Sequence, residues 1–196
     1  MSAGYRRNAQ RVVYENPWLR FEAHDMVHPN GVEGVHGVVV TGGASAVVVL
    51  DGDDVLLTRQ ARFAVDDVVL EVIKGGILPD ETPLECAVRE TREEAGVNAG
   101  RWDDLGIVLE IPSVVQDPVM VFLARDLHPA PLEPEAVERI DVVRMPFAEA
   151  LQACTDGRMN DAVTAVALMR AARTIATAPE ARSSRSRDVR VDRARD

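Results

Sequence analysis

The chain has 196 residues, 46% of them apolar, which suits one folded domain with a full hydrophobic core and a short accessory segment. A formal net charge of -10 disfavours nucleic acid as a partner, because a polyanion is bound by positive surface that displaces its counterions. No apolar run approaches the roughly 18 to 20 residues of a membrane span, and the opening MSAGYRRNAQ lacks the apolar stretch of a secretory signal, so no membrane partner and a cytoplasmic address are expected.

Up to residue 44, apolar and polar residues alternate around turn signals: Arg11 to Tyr14, Trp18 to Met26, the turn Pro29-Asn30-Gly31, then Val35 to Val40. This predicts a small N-terminal antiparallel sheet. His24 and His28 are four apart but fall in a predicted strand, where they share no helix face, so metal binding there is not expected. Ala46 to Leu50 and Val55 to Gln60 flank Asp51-Gly52-Asp53-Asp54, which predicts a tight hairpin because an Asp-Gly pair supplies positive backbone angles.

Next comes Gly75 to Val97, GGILPDETPLECAVRETREEAGV, whose helix follows from its punctuation. Thr82-Pro83-Leu84-Glu85 is a capping box with proline where a missing N–H is harmless, and Gly96 offers the left-handed conformation that ends a helix. At 3.6 residues per turn, Leu84, Ala87, Val88 and Thr91 are expected to pack on a sheet, while Glu90, Glu93 and Glu94 bunch on another face. Like charges that close repel, and they lie toward the wrong end of the helix dipole, so something cationic must offset them. Arg89 and Arg92 supply part of that charge; three carboxylates beside a glycine-rich turn also suit a hard divalent cation, which prefers oxygen ligands. A merely solvated glutamate face is the alternative reading of such a cluster.

Leu105 to Ile111 and Val119 to Ala124 read as strands, followed by a proline-rich acidic loop, His128 to Glu138, long enough to reach over a site, and a strand at Ile140 to Met145. Helical spacing returns at Phe147 to Cys154 and Asp161 to Ala176, the second with Asn160 as its expected cap. From about Thr177 the chain reads as a disordered tail rich in serine, arginine and aspartate; it has no aromatic residue to stack on a base. The organisation expected is therefore N-terminal strands over 1–44, a main domain over 45–176 and a tail over 177–196. Cys86 and Cys154 lack metal-ligand or CxxC spacing and read as packing residues.

The stretch from Gly75 resembles the box of the Nudix hydrolase family, G-x5-E-x7-R-E-U-x-E-E-x-G-U, where U is a bulky aliphatic residue. Gly75, Glu81, Arg89, Glu90, Glu93, Glu94, Gly96 and Val97 match; Thr91 stands where an aliphatic residue is usual, and its methyl still packs. A full match at the seven fixed positions arises by chance on the order of once in a million chains of this size. The resemblance implies an α/β (α+β) Nudix fold, a mixed sheet sandwiched between helices, preceded by the small antiparallel sheet. It implies that Glu90, Glu93 and Glu94 coordinate Mg2+, with Mn2+ as an alternative, that the backbone carbonyl of Lys74 is a further ligand, and that Glu81 and Arg89 pair to lock the loop onto the helix.

From about Val12 to Arg173 the chain also resembles the ADP-ribose pyrophosphatase and ADP-compounds hydrolase branch of that family. That likeness implies a small-molecule nucleotide substrate, ADP-ribose or a related ADP compound, cut at its pyrophosphate bond. It implies that Arg59 and Arg62 hold phosphates, that Glu71 sits at the pocket wall, and that two chains exchange N-terminal sheets in a homodimer. The branch often adds a glutamate from the loop before the penultimate strand; of Glu133, Glu135 and Glu138, Glu138 is expected to be the base or an extra metal ligand. Lys74, the only lysine in the chain, stands where proline and alanine are more usual in ADP-ribose enzymes, a departure that bears on the group attached to ADP. Hydrolysis of dinucleoside polyphosphates or of other nucleotide sugars is a second possibility, and a non-catalytic nucleotide-binding module a third.

Overall fold

The computed structural model describes residues 4–131 and 140–177. Strands β1 (Arg6–Glu15), β2 (Leu19–Val27) and β3 (Glu33–Thr41) pair antiparallel in succession. β1 extends well beyond the expected Arg11 to Tyr14 because all ten of its residues are exposed, so no alternation of burial is written into its sequence. Between β2 and β3, Gly31 takes a positive φ of 87° and Asn30 accepts a hydrogen bond from the Val32 amide.

The second sheet opens with the expected hairpin, β4 (Ala44–Asp51) and β5 (Asp54–Arg62), with Gly52 at φ 63° in the turn. Two short strands follow that the sequence pattern does not show, β6 (Asp67–Glu71) on β5 and β7 (Ile73–Gly76) on β4. The run VVLEVI has no clean period of two: Val68 is exposed, Leu70 and Val72 pack in one core, Ile73 packs in the other, and Glu71 is a buried carboxylate. After the helix α1 (Pro83–Ala95) come β8 (Val97–Leu109), the two-residue β9 (Val115–Gln116), β10 (Pro118–Pro129), β11 (Ile140–Pro146), and helices α2 (Phe147–Thr155) and α3 (Ala162–Thr177). β8 begins eight residues before the expected Leu105 to Ile111, at the very end of α1.

The main sheet runs β11-β5-β4-β10-β8, with β10 parallel to β4 and its other pairs antiparallel, so it is mixed. β9 instead joins β3 in parallel and completes the smaller sheet, β1-β2-β3-β9. Alternation along the main strands feeds two cores. Val47, Val49, Leu56, Ile73 and Phe122 pack with Ala87 of α1. Val48, Val55, Leu57, Val121 and Leu123 pack with Ala150 of α2 and Val163, Ala167 and Leu168 of α3. The central sheet between helices is the architecture the resemblance implies.

Two local expectations need correction. The buried stripe of α1 is Cys86, Ala87, Thr91 and Glu94, whereas Leu84 and Val88 are 42% and 36% exposed. A carboxylate thus takes a place on the inner stripe that hydrophobicity alone would deny it. The cap of α3 is Asp161 rather than Asn160: its Oδ2 accepts from the Thr164 amide at 2.8 Å and hydroxyl at 2.7 Å, the reach of a residue just ahead of the first turn. The expected loop acids Glu133, Glu135 and Glu138 and the tail after Thr177 lie outside the described residues.

Candidate active site

The loop between β7 and α1 is pinned at both ends of the helix. Thr82 Oγ1 accepts from the Glu85 amide at 3.3 Å while the Thr82 amide donates to Glu85 Oε2 at 2.8 Å; at the far end Gly96, at φ 64°, donates its N–H to the Arg92 carbonyl at 3.0 Å. Arg89 then ties helix, loop and strand together. It donates from Nε and Nη2 to the two oxygens of Glu81 at 2.8 and 3.0 Å, and from Nη2 to the Gly76 carbonyl at 2.9 Å. The fork of a guanidinium suits two-point binding to a carboxylate, a contact lysine cannot reproduce. These bonds hold the Glu81 carboxyl below its ordinary range and the Arg89 guanidinium above its own, with burial opposing both shifts.

Gly75 is fixed by close approach. A Cβ there would lie 1.8 Å from Glu90 Oε1 and 1.9 Å from its Cδ, so the Glu90 carboxylate occupies space that only glycine leaves open. Glu90, Glu93 and Glu94 all line one cavity of about 1290 Å³. The expected gathering at one point is not what the side chains show. Among the described residues no three acidic, histidine or cysteine side chains converge closely enough to hold a metal ion. Instead Arg89 Nη1 donates to Glu90 at 2.5 Å and to Glu93 at 3.0 Å, while Glu94 is 9% exposed on the helix's inner stripe. Like charges on adjacent turns need a cation, and the chain supplies one from Arg89. The donor set still fits a hard divalent ion: three carboxylates share one concave wall, and one fills a cradle kept clear by a missing Cβ.

The facing wall comes from distant parts of the chain. Arg62 and Lys74 line the cavity, whereas Arg59 is exposed on β5 and lies outside the lining. Alternation in β5 sends Arg59 and Gln60 to opposite faces, and Gln60 is the one that reaches the cavity. Glu71, expected at the wall, is instead buried behind it, 2% exposed, with Oε1 2.7 Å from Arg62 Nε and Oε2 3.4 Å from Lys74 Nζ. The backbone of Lys74, in β7, pairs across from Ala46 of β4. Among the lining residues not singled out from sequence are Trp18, Glu110, Asp117 and Asp141. A tryptophan left 79% exposed is a signal only once its exposure is known; Asp117, which accepts from Thr41 Oγ1 at 2.6 Å, carries no local pattern.

A folded sheet between helices, with this loop and helix against it, defines a Nudix domain, and the family's NUDIX domain model matches residues 41–165, more than half of the chain. The chain belongs to the Nudix family. It is 30% identical over 153 residues to the ADP compounds hydrolase NudE of Escherichia coli (strain K12), covering 76% of this chain and 82% of that one. It is 26% identical to the ADP-ribose pyrophosphatase of Bacillus subtilis (strain 168), covering 82% of this chain and 88% of the other. It is 27% identical to a GDP-mannose pyrophosphatase of Yersinia enterocolitica, covering 82% and 92%. A crystal structure of an ADP compounds hydrolase superposes with a TM-score of 0.79 at 26% identity, covering 88% of this chain and 94% of that one. No helix among the described residues is long and apolar enough to cross a membrane.

Proposed function

We propose that this Nudix hydrolase cuts the pyrophosphate bond of ADP-ribose or a related ADP compound, giving AMP and a phosphorylated fragment. The observation that carries this reading is the complete box wall, Glu90, Glu93 and Glu94 beside the Gly75 cradle, along a cavity of about 1290 Å³ with room for a nucleotide. The similarity to an ADP compounds hydrolase and an ADP-ribose pyrophosphatase supports the choice of substrate.

Nudix hydrolases generally need a divalent metal, and here Glu90, Glu93 and Glu94 are the residues that would hold it, with the Lys74 carbonyl as a further ligand. Mg2+ bound there, or Mn2+, supplies Lewis acidity and a water of lowered pKa. A water oxygen bonds to one phosphorus, the bridging P–O bond breaks, and the leaving phosphate takes the electron pair. Arg89 keeps the loop fixed on the helix through Glu81, and Arg62 faces the phosphates from the other wall. Glu138 is assigned as the base that takes the water's proton or as an additional ligand; unchanged turnover in Glu138→Gln removes that assignment.

The test is a panel of ADP-ribose, NADH, diadenosine polyphosphates, GDP- and UDP-sugars and nucleoside triphosphates with Mg2+ or Mn2+, read by product analysis. ADP-ribose or another ADP compound should give the highest kcat/KM. Preference for GDP-mannose would favour the second reading, which the GDP-mannose pyrophosphatase relative supports. Tight binding without turnover of any compound would mean a nucleotide-binding module. We further propose a homodimer through the N-terminal sheet, since β1 is exposed along its whole length and leaves Val12, Val13 and Tyr14 more than half exposed. A single monomer species by sedimentation across working concentrations would remove it.

A further inference from the structure

The chain's single lysine sits in an unusual place. Lys74 is the second residue of β7, and strand alternation turns it away from the face on which Gly75 receives Glu90. Its ammonium lies toward α3, 3.4 Å from Glu71 Oε2, 3.6 Å from Asp161 Oδ1 and 3.7 Å from Glu110 Oε1. These carboxylates come from β6, the segment after β8 and the residue capping α3, so the amine is held from three directions. Its side chain is only 18% exposed, and what it exposes lines the cavity.

A lysine acting purely as a strut between elements donates charge-assisted hydrogen bonds at about 2.7–2.9 Å. Here all three partners are farther off, and among the described residues the ammonium makes ion pairs but no hydrogen bond. Two of the carboxylates are shared: Asp161 caps α3 through Oδ2 and faces Lys74 with Oδ1, and Glu71 meets Arg62 through Oε1 and Lys74 through Oε2. The ammonium therefore sits at a cavity wall held by three long ion pairs, next to a second cation that shares the same buried glutamate.

We propose that Lys74 is a specificity-determining cation that takes an anionic oxygen of the nucleotide substrate, with Glu71 as the positioning residue that sets Lys74 and Arg62 side by side. The inference rests on the hydrolase reading above. The substrate then spans the end of β7, with the glutamates of α1 on one face and Lys74 on the other. When the anion arrives, the long contact to Glu110, whose side chain is 31% exposed, is the one that gives way.

Because there is one lysine, labelling the full chain with 13Cε-lysine yields one side-chain signal that needs no assignment. In EDTA, where turnover stops, ADP-ribose, AMP and ribose 5-phosphate are titrated in turn. The proposal expects a saturable shift of that signal with ADP-ribose and with whichever product carries the contacted phosphate. No shift with any of the three, while intrinsic tryptophan fluorescence reports binding, overturns it. Kinetics supply the second arm: Lys74→Gln should raise KM roughly 10- to 100-fold with kcat within about 3-fold, and Lys74→Arg should restore most of the loss. An unchanged KM, or KM and kcat both damaged together with a lowered Tm and no rescue by arginine, makes Lys74 a structural tie and overturns the proposal. Wild-type protein that turns over no compound in the panel refutes the hydrolase reading instead, a separate result.

Discussion

The two walls of the cavity are built on opposite plans. The box wall is local in sequence: from Gly75 to Gly96 a cradle, a capping box and an arginine clamp follow one another, and the clamp's bonds to the Glu81, Glu90 and Glu93 carboxylates measure 2.5–3.0 Å. The facing wall is assembled from Arg62, Lys74 and Glu110 on separate elements, backed by the buried Glu71 and by Asp161; its lysine contacts measure 3.4–3.7 Å, while Arg62 holds Glu71 at 2.7 Å. A wall that places reacting groups must be rigid, because small misplacements are costly to catalysis. A wall that recognises part of a substrate has latitude to exchange partners. On the proposed reading, chemistry and recognition are divided between a tight, contiguous segment and a discontinuous one with longer lysine contacts.

Substitution at the cradle should separate them most sharply. Gly75→Ala places a methyl into the space of the Glu90 carboxylate, so kcat should fall by about 100-fold while Tm moves little, as measured by product release and calorimetry. A comparable loss from Glu110→Gln on the loose wall would erase the distinction. Next in size, Arg89→Ala leaves three carboxylates without their shared guanidinium, whose side chain is 18% exposed. Discounted for that partial exposure, the cost is about 2 kcal/mol, or a Tm lower by roughly 4–8 °C; Glu110→Gln should shift Tm by less than about 2 °C.

The smallest effect is an acid one. Folding lowers the Glu81 carboxyl below its ordinary value of 4.5, chiefly through the Arg89 hydrogen bonds. The fold therefore favours the ionised form: this stabilisation is fully present above that ordinary value and is lost as pH falls through the lowered one. Glu81→Gln should make the acid limb of unfolding shallower, followed by circular dichroism, and an identical limb would remove Glu81 from it.

The same division governs what the sequence reveals. The bounds of α1, its capping box and the Gly96 stop are legible because capping chemistry acts within four residues. Arg89 and Glu81 are legible as a pair through the family pattern. The inner stripe of α1 is misread because Glu94 turns inward while Leu84 and Val88 face out, a reversal of hydrophobic order at a functional helix. β6 and β7 escape notice because they are short and their run passes from exposed Val68 to consecutive buried residues, Glu71, Val72 and Ile73, without alternation. Lys74 is conspicuous as a lone lysine, yet nothing near it in sequence announces Glu110 or Asp161. Their meeting depends on how β8 and α3 dock, a matter of tertiary packing.

The central claim is that Glu90, Glu93 and Glu94 together hold a divalent cation. Titrating Mn2+ into the full chain, with the free ion counted by electron paramagnetic resonance, tests it without any substrate. At least one Mn2+ should bind the wild-type protein, with affinity weakened roughly 10-fold or more in Glu93→Gln and in Glu94→Gln at unchanged Tm. Equal Mn2+ binding by wild type and both variants would contradict it.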